Sequence, residues 1–315
     1  GNGLQTNATL IDDRMAKLFG DYKFLLGCSL DGPSEIHDRY RQNIQGKSSH
    51  QDVIRGIEAL KRKNVEFNIL VLVSKANVYQ AKKVYEYLVG KGFYYHQFIP
   101  CVEYNLKGEL TDFSITGEEW GNFLCEIYDL WYPKDVNIVS IRHFDSILMQ
   151  IVENISNVCT LGKNCCQYFV VEYNGDIYPC DFFVEKQYKL GNILENTWEE
   201  MLSSKLYKDF GAKKTQWNSA CENCLYINYC NGDCLKHRIF ANNTPQRLSG
   251  LCVGWKAFYQ HSLGGFNRLA EKIGKHRREA TIQKNIESRI HPTSVGRNVL
   301  CTCGSGRKYK KCCGK

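Results

Sequence analysis

The chain has 315 residues, 43% of them hydrophobic, and 16 cysteines. Its net charge of +8 resides in residues 266 to 315, where thirteen Lys and Arg face three acids, and the rest of the chain is close to neutral. A secretory hydrophobic segment and a membrane-spanning apolar run are both absent from the sequence, and disulfide-rich chains are usually small and secreted, so we expect reduced cysteines and a cytoplasmic location.

Apolar strands alternate with amphipathic helices in the first hundred residues. We predict strands at Phe24 to Leu30, Phe67 to Val73 and Tyr94 to Val102. Apolar residues at helical spacing predict the intervening helices, with Val53, Ile54, Ile57 and Leu60 in one and Ala81, Val84, Tyr85 and Leu88 in the next. This order is typical of an α/β fold whose parallel sheet is covered by helices and carries functional residues at the carboxyl ends of its strands. Ser29, Asp31 and Val102 fall there.

The strand–helix region has an abrupt start and a helical end. Residues 1 to 3 read Gly-Asn-Gly with no unit before them, so the first edge of the predicted sheet lacks a partner, and we expect an N-terminally incomplete fragment. Thr116 to Glu119 resembles a capping box that opens a helix ending near Pro133. We interpret that helix as a connector.

Cysteines replace apolar residues as the organising feature after this helix. Val170 to Tyr173 and Ile177 to Cys180 predict a hairpin around Asn174-Gly175. Eight well-spaced cysteines follow the pattern of metal ligands, enough for two centres of four thiolates: Cys159, Cys165, Cys180, Cys221, Cys224, Cys230, Cys234 and Cys252. Cys166 is a ninth, spare thiol. A disulfide framework or buried free thiols are the alternative interpretation.

Five short motifs resemble those of the anaerobic sulfatase-maturating enzymes, which are radical S-adenosylmethionine (SAM) proteins. They are Gln5-Thr6-Asn7, Ser29-Leu30-Asp31-Gly32-Pro33, Phe98-Ile99-Pro100-Cys101, Val139-Ser140-Ile141-Arg142 and Tyr178-Pro179-Cys180-Asp181-Phe182. The resemblance extends to about Ala270, and the cysteine array is similar to that of the family's SPASM domain. Ala8 stands where the family commonly has Gly, which matters only if the backbone there needs a positive φ.

The resemblance implies a partial radical SAM (β/α)6 barrel lacking its first units, followed by a SPASM iron–sulfur domain and a small zinc motif. We expect five segments: the C-terminal part of the barrel at 1–115, connecting helices at 116–158, the SPASM domain at 159–273, a basic, mobile linker at 274–296 and the zinc motif at 297–315.

The resemblance also implies the metal ligands. The first cysteine set would bind the nearer auxiliary 4Fe-4S cluster: Cys159, Cys165, Cys180 and Cys234. The second cysteine set would bind the outer one: Cys221, Cys224, Cys230 and Cys252. Cys166 could replace Cys165. A third cluster, which cleaves SAM, is expected in the missing N-terminus, because residues 1 to 158 contain no CxxxCxxC motif. We therefore expect the chain to be inactive alone.

In the family, a radical derived from SAM oxidises a Cys or Ser of a sulfatase to Cα-formylglycine. The resemblance assigns Asp181 as the base that takes the substrate's proton, which requires burial to raise its pKa, and a carboxylate that caps a turn is the alternative. It places Ser29, Arg41 and Val102 against the ribose, the methionine carboxylate and the adenine of SAM, respectively. Arg41 could equally be a surface residue.

The last residues resemble the short SEC-C motif. The tail cysteine set suits tetrahedral Zn2+: Cys301, Cys303, Cys312 and Cys313. We expect the tail to be a possible docking surface for a partner. The basic tail lacks aromatic stacking residues, which makes nucleic acid an unfavoured partner.

The expected partners are an unfolded sulfatase segment as substrate and an electron donor such as flavodoxin or ferredoxin, with no membrane. Two other functions remain open at this stage. One is another SPASM maturase that forms thioether or carbon–carbon bonds in peptides. The other is a metal-bearing binding module without catalysis.

Overall fold

The computed structural model describes residues 2–105, 107–239, 244–290, 296–301 and 303–314, without the side chains of 281, 282 and 284–290. The chain forms two compact units, Gly1–Phe266 and Asn267–Lys315. Within the described ranges, every helix is either too short or too polar to pass through a bilayer.

A five-stranded parallel sheet in the order β1-β2-β3-β4-β5 is the centre of the first unit. Its strands are β1 (Asn2–Thr6), β2 (Phe24–Ser29), β3 (Phe67–Val73), β4 (Tyr95–Pro100) and β5 (Ser140–Ile141). In β3 the alternate residues Ile69, Val71 and Val73 are fully buried, as expected of a strand with one face against helices. The predicted α/β class and parallel sheet are confirmed, whereas β1 and β5 were not predicted as strands.

Six helices follow or connect these strands. They are α1 (Asp13–Asp21), α2 (Ser34–His37), α3 (His50–Arg62), α4 (Ala81–Gly90), α5 (Gly117–Trp131) and α6 (Arg142–Glu153). The predicted capping box of α5 is confirmed, because Thr116 accepts a hydrogen bond from the Glu119 amide and the Glu119 carboxylate accepts one from the Thr116 amide. The predicted apolar faces of α3 and α4 are buried.

Ala8 lies in a turn after β1 that presses against α3. Its φ is 59°, and its carbonyl oxygen lies 2.0 Å from where a Cβ on Gly56 would stand. Position 56 therefore requires glycine. At position 8 the left-handed backbone costs a residue other than glycine about 1–2 kcal/mol, which explains why glycine is favourable there.

The cysteine-rich part of the first unit has little regular structure. A small antiparallel sheet consists of β6 (Val170–Val171), β7 (Asp176–Tyr178) and β8 (Gly191–Asn192). The predicted hairpin is confirmed with shorter strands, and Gly175 supplies the positive φ of its turn. Four helices complete this part: α7 (Trp198–Ser203), α8 (Lys205–Ala212), α9 (Ser219–Glu222) and α10 (Ile227–Cys230).

The second unit contains the end of a long helix, α11 (Cys252–Ile290), and the tail. The predicted linker at 274–296 is helical as far as Ile290, since this stretch is rich in Lys and Arg and its first proline is Pro292. Residues 291–295 lie outside the described residues. In the tail, Leu300 and Lys308 form a β-bridge that precedes a 3-10 turn at Tyr309–Lys311.

Candidate metal and cofactor sites

The first cysteine set lines one cavity with about 390 Å3 of empty space, part of it open to solvent. Cys159 begins a 3-10 turn, Cys180 follows β7 after Pro179, and Cys234 is the N-cap of the 3-10 turn at Leu235–His237. A buried apolar cluster of Phe183, Phe210 and Leu235 packs against Cys165 and Cys180. Four cysteines that are far apart in sequence therefore meet at one apolar cavity.

The second cysteine set lines a separate cavity with about 410 Å3 of empty space. Cys221 lies in α9, Cys230 is the last residue of α10 and Cys252 is the first residue of α11. Thus two short helices that could not be stable alone, α9 and α10, meet the start of the long helix α11 at a common cavity.

A connector of five residues, 230 to 234, joins the two cavities. Its inner residues Asn231, Gly232 and Asp233 all have positive φ, at 46°, 74° and 62°. This run of left-handed backbone reverses the chain, so that Cys230 and Cys234 enter different cavities. A Cβ on Gly232 would also lie 2.9 Å from the Trp217 ring, so this position has two reasons to be glycine.

The buried thiols resist ionisation on their own. Burial raises the pKa of Cys165 to about 11 and the pKa of Cys230 to about 12. Metal coordination supplies the missing stabilisation, because it replaces the thiol proton. Soft sulfur donors in a dry cavity therefore fit a metal centre and are poor free nucleophiles.

Two unpaired donors beside the second cavity also fit a sulfur-rich group. Trp255 and Tyr259 line this cavity, and both the indole N–H and the phenol O–H are buried. Within the described residues neither group has a hydrogen-bond partner. Buried donors normally have acceptors, which the sulfur atoms of an iron–sulfur centre would provide.

All sixteen cysteines carry free thiols in this structure. Cys166 lies away from both cavities, and its thiol donates to the Tyr207 carbonyl at 3.1 Å. A Cβ on Gly211 would lie only 2.1 Å from its sulfur, so the thiol fills a tight pocket of its own. The structure thus distinguishes Cys166 from its neighbour Cys165, which lines the first cavity.

Asp181 is exposed beside the first cavity. Its Oδ1 accepts a contact from the Cys180 thiol at 3.4 Å. The side chain is not buried in this structure, because the residue follows β7 at the surface of the unit. The role of Asp181 as a base stays a prediction.

The residues predicted to contact SAM lie at the carboxyl edge of the parallel sheet. Ser29 ends β2 and Val102, which is buried, follows β4. Arg41 forms an ion pair with Asp31, with Nε 2.5 Å from Oδ2 and Nη2 3.3 Å from Oδ1. Asp31 also accepts a hydrogen bond from the Leu72 amide at 2.9 Å, which fixes it to β3. Arg41 is thus a half-buried, oriented side chain, and no sequence pattern indicated that Asp31 is its partner.

A buried polar network includes Asp233 and Ser249, which line the second cavity, and sequence reasoning missed it. Asp233 accepts hydrogen bonds from His237 Nδ1 at 2.7 Å and from the Ser249 hydroxyl at 2.6 Å. Burial would raise the pKa of Asp233, but the charge and hydrogen bond of His237 lower it overall. Lys214 and Arg238 are both almost completely buried. The Lys213-Lys214 pair resembles an ordinary surface sequence, so no sequence pattern indicated that Lys214 is buried.

The tail cysteine set converges on one point. Its four sulfur atoms all lie within 4.8 Å of one another, closer than any three thiols of either cavity, among the residues that are described. The Cys303 and Cys312 sulfurs are 3.4 Å apart, and the Ser305 hydroxyl donates to Cys312 at 3.1 Å. Hydrogen bonding from Ser305 lowers the pKa of Cys303 to about 6. Such a compact thiolate group fits a single tetrahedral ion.

Three protein families match parts of the chain. The Radical SAM superfamily matches residues 1–88, the SPASM iron-sulfur cluster-binding domain matches residues 159–225, and the SEC-C motif matches residues 297–315.

Curated relatives match over most of the chain. A serine-type anaerobic sulfatase-maturating enzyme of Bacteroides thetaiotaomicron is 36% identical over 91% of this chain and 73% of the relative. A cysteine-type anaerobic sulfatase-maturating enzyme of Clostridium perfringens is 35% identical over 86% of this chain and 74% of the relative.

Solved structures are also similar to this chain. The structure of native anSMEcpe with bound AdoMet and Cp18Cys peptide has a TM-score of 0.79 at 34% identity, over 86% of this chain and 76% of that one. Streptococcus suis SuiB with S-adenosylmethionine is 16% identical with a TM-score of 0.52, covers 79% of this chain and 59% of that one, and shows a similar fold only. The chain therefore belongs to the anaerobic sulfatase-maturating enzyme family, with a radical SAM domain and a SPASM domain.

Proposed function

We propose that this chain takes part in the radical SAM oxidation of a Cys or Ser in a sulfatase to Cα-formylglycine. The observation that carries the proposal is that one chain contains two separate cavities, each lined by four cysteines. Its relatives include serine-type and cysteine-type sulfatase-maturating enzymes. A binding module without chemistry would have no need for two such thiol groups.

The first and second cysteine sets would each hold an auxiliary 4Fe-4S cluster. In either cavity the sulfur atoms are spread more widely than in the tail cysteine set, which suits a cluster of several atoms better than a single ion. When bound, these centres supply an electron acceptor for the oxidation. The chain's contribution is a mostly apolar lining, which includes Phe183, Phe210 and Leu235 beside the first cysteine set.

SAM would lie at the carboxyl edge of the sheet, against Ser29 and Val102. Asp31 orients the guanidinium of Arg41. Its remaining N–H donors can therefore bind the methionine carboxylate with little further loss of side-chain entropy. The solved relative binds AdoMet, which supports this placement. Since the sequence contains no CxxxCxxC, SAM cleavage by this chain alone is not expected.

Asp181 would take the proton from the substrate thiol or hydroxyl. Its exposure beside Cys180 leaves it within reach of an incoming peptide segment. Closure of the substrate over this carboxylate would remove water and raise its basicity, which replaces the burial that is missing in the free chain. An unfolded sulfatase segment is the proposed substrate, and a peptide-bound relative supports it.

The tail cysteine set would hold one Zn2+ as a structural ion and present a small docking surface to a partner. We place the protein in the cytoplasm, where thiols remain reduced and where a flavodoxin or ferredoxin can donate electrons.

Metal analysis of anaerobically reconstituted protein tests the proposal. We expect roughly eight iron atoms and one zinc atom per chain. The chain, extended by a segment that bears CxxxCxxC, should then convert Cys-type or Ser-type sulfatase peptides to formylglycine, detected by mass spectrometry. Protein that stays free of iron would refute the proposal, and a thioether or carbon–carbon product instead of formylglycine would favour another SPASM maturase.

A further inference from the structure

Lys214 is a fully buried cation whose hydrogen-bond acceptors are backbone carbonyls. Its Nζ donates to the carbonyl of Thr160 at 2.9 Å and to the carbonyl of Asp233. Thr160 follows Cys159 and Asp233 precedes Cys234, so both acceptors are next to members of the first cysteine set. Lys214 therefore joins two distant ligand segments behind the wall of the first cavity.

The charge of Lys214 has no carboxylate among these acceptors. The neighbouring Asp233 carboxylate already binds His237 and Ser249. An isolated buried ammonium is strongly unfavourable, so a source of negative charge must lie close to it. The groups that favour the charged form of Lys214 are, largest effect first, the Cys234 thiol, the Asp233 carboxylate and the Cys165 thiol, so Asp233 supplies only part of the negative charge.

We propose that Lys214 is the buried counter-charge of the metal centre held by the first cysteine set, and that it makes this centre easier to reduce. This inference rests on the ligand sets of the proposed function. Four thiolates outweigh the positive charge of an iron–sulfur core, so the centre is an anion that becomes more negative on reduction. A fixed cation in a low-dielectric interior stabilises the reduced form more than the oxidised form.

The effect should be larger at the first centre than at the second. Both carbonyls that orient Lys214 belong to residues adjacent to first-set ligands. Lys214 acts electrostatically on Cys165 and Cys234 of the first set and on Cys230 of the second set. Lys214 is thus a positioning residue whose electrostatic effect is greater at the first centre, rather than a group that touches substrate.

Redox titration of the reconstituted chain, followed by electron paramagnetic resonance, tests the inference. Lys214→Gln and Lys214→Met remove the charge, Lys214→Arg keeps it, and Lys213→Met is the matched control, because Lys213 lies over the Tyr188 ring on the neighbouring position. We expect Lys214→Gln and Lys214→Met to lower the midpoint potential of one centre more than that of the other, with Lys214→Arg and Lys213→Met close to the unchanged protein.

The same substitution in a variant that lacks the first centre identifies which centre is affected. In Cys180→Ser protein, which should lack the first centre, Lys214→Met should shift the remaining midpoint less than it shifts the midpoint of the first centre in the unsubstituted background. Iron loss in Lys214→Gln and Lys214→Met with retention in Lys214→Arg would also support the inference, because charge alone separates these variants.

Unchanged midpoints, equal shifts of both centres, or iron loss in all three Lys214 variants would overturn it. Absence of iron from the unsubstituted chain is a different outcome, which refutes the ligand sets themselves.

Discussion

Asn231 donates its side-chain amide to the carbonyl of Leu161 at 2.7 Å, across 70 residues of sequence. Asn231 follows Cys230 of the second set, and Leu161 lies in the turn that begins with Cys159 of the first set. One hydrogen bond thus joins the segments that carry ligands of both cavities. Loss of this hydrogen bond should therefore destabilise both ligand-bearing segments.

We predict that Asn231→Ala lowers the free energy of unfolding by about 2–4 kcal/mol. A buried carbonyl would lose its donor, at about 1–3 kcal/mol, and alanine tolerates the left-handed backbone less well than asparagine. Urea unfolding under anaerobic conditions measures the change. Asn231→Gly keeps the backbone relaxed and isolates the hydrogen bond, so equal stability of Asn231→Gly and the unsubstituted protein would contradict the role of this bond.

Cys165 and its neighbour Cys166 should differ sharply as metal ligands. Cys165→Ser is expected to lose about four of roughly eight iron atoms, since it removes a ligand of one four-thiolate centre. Cys166→Ser should retain all of them, because this thiol contacts the Tyr207 carbonyl outside the cavity. Iron and sulfide assays on matched preparations decide the question. Equal iron in both variants would show that Cys166 can replace its neighbour.

Ala8→Gly should change stability by less than about 0.5 kcal/mol. Relief of the left-handed backbone gains about 1–2 kcal/mol, while loss of a buried methyl and the added chain entropy together cost a similar amount. The matched control is Ala59→Gly in α3, buried to the same degree but helical, which should cost about 2 kcal/mol. Equal losses in the two variants would exclude backbone strain at Ala8.

Acid should destabilise the first unit well before its carboxylates protonate. Burial lowers the pKa of His37 and the pKa of His96 to about 4, from an ordinary value near 6.5. The unfolded chain therefore binds protons that the folded chain rejects, and stability falls as the pH drops from about 6.5 to 4. Each histidine contributes about 3 kcal/mol to this loss.

The variant His96→Gln checks this pH dependence. It removes one titrating group while an amide remains near the Phe93 carbonyl, which accepts from His96 in the structure. The difference in unfolding free energy between pH 7 and pH 4 should shrink by about 3 kcal/mol in this variant. His276→Gln, at an exposed position of the second unit, is the control substitution. A flat pH profile of the unsubstituted protein over this range would contradict the prediction.

Zinc binding should depend only on the tail cysteine set. Cys303→Ser is expected to abolish zinc binding and to leave the iron content unchanged, because the tail cysteine set lies in the second unit and the other two sets lie in the first. Cys125→Ser, in α5 and outside all three sets, serves as the control. Inductively coupled plasma analysis reads both metals in one sample. Zinc that survives in Cys303→Ser would remove this residue from the ligand set.

Periodicity was sufficient for the three central strands of the parallel sheet, because long apolar runs such as Phe67–Val73 have few other stable arrangements. The cysteines at 159, 165, 180 and 234 could be grouped only through resemblance, since spacing alone permits many groupings. The partners of individual side chains could not be predicted from the sequence. Nothing in the sequence indicates that Arg41 meets Asp31, or that Lys214 is buried while Lys213 is not, because these outcomes depend on where distant backbone carbonyls and carboxylates come to lie.

The connector at 230–234 also constrains how this chain can vary in length. Three inner residues span the distance between ligands of two different cavities, and all three already use left-handed backbone. Insertion or deletion of a single residue here would move one sulfur out of reach of its partners while the other is held by its helix. Unlike most surface loops, this segment should therefore accept neither a longer nor a shorter version.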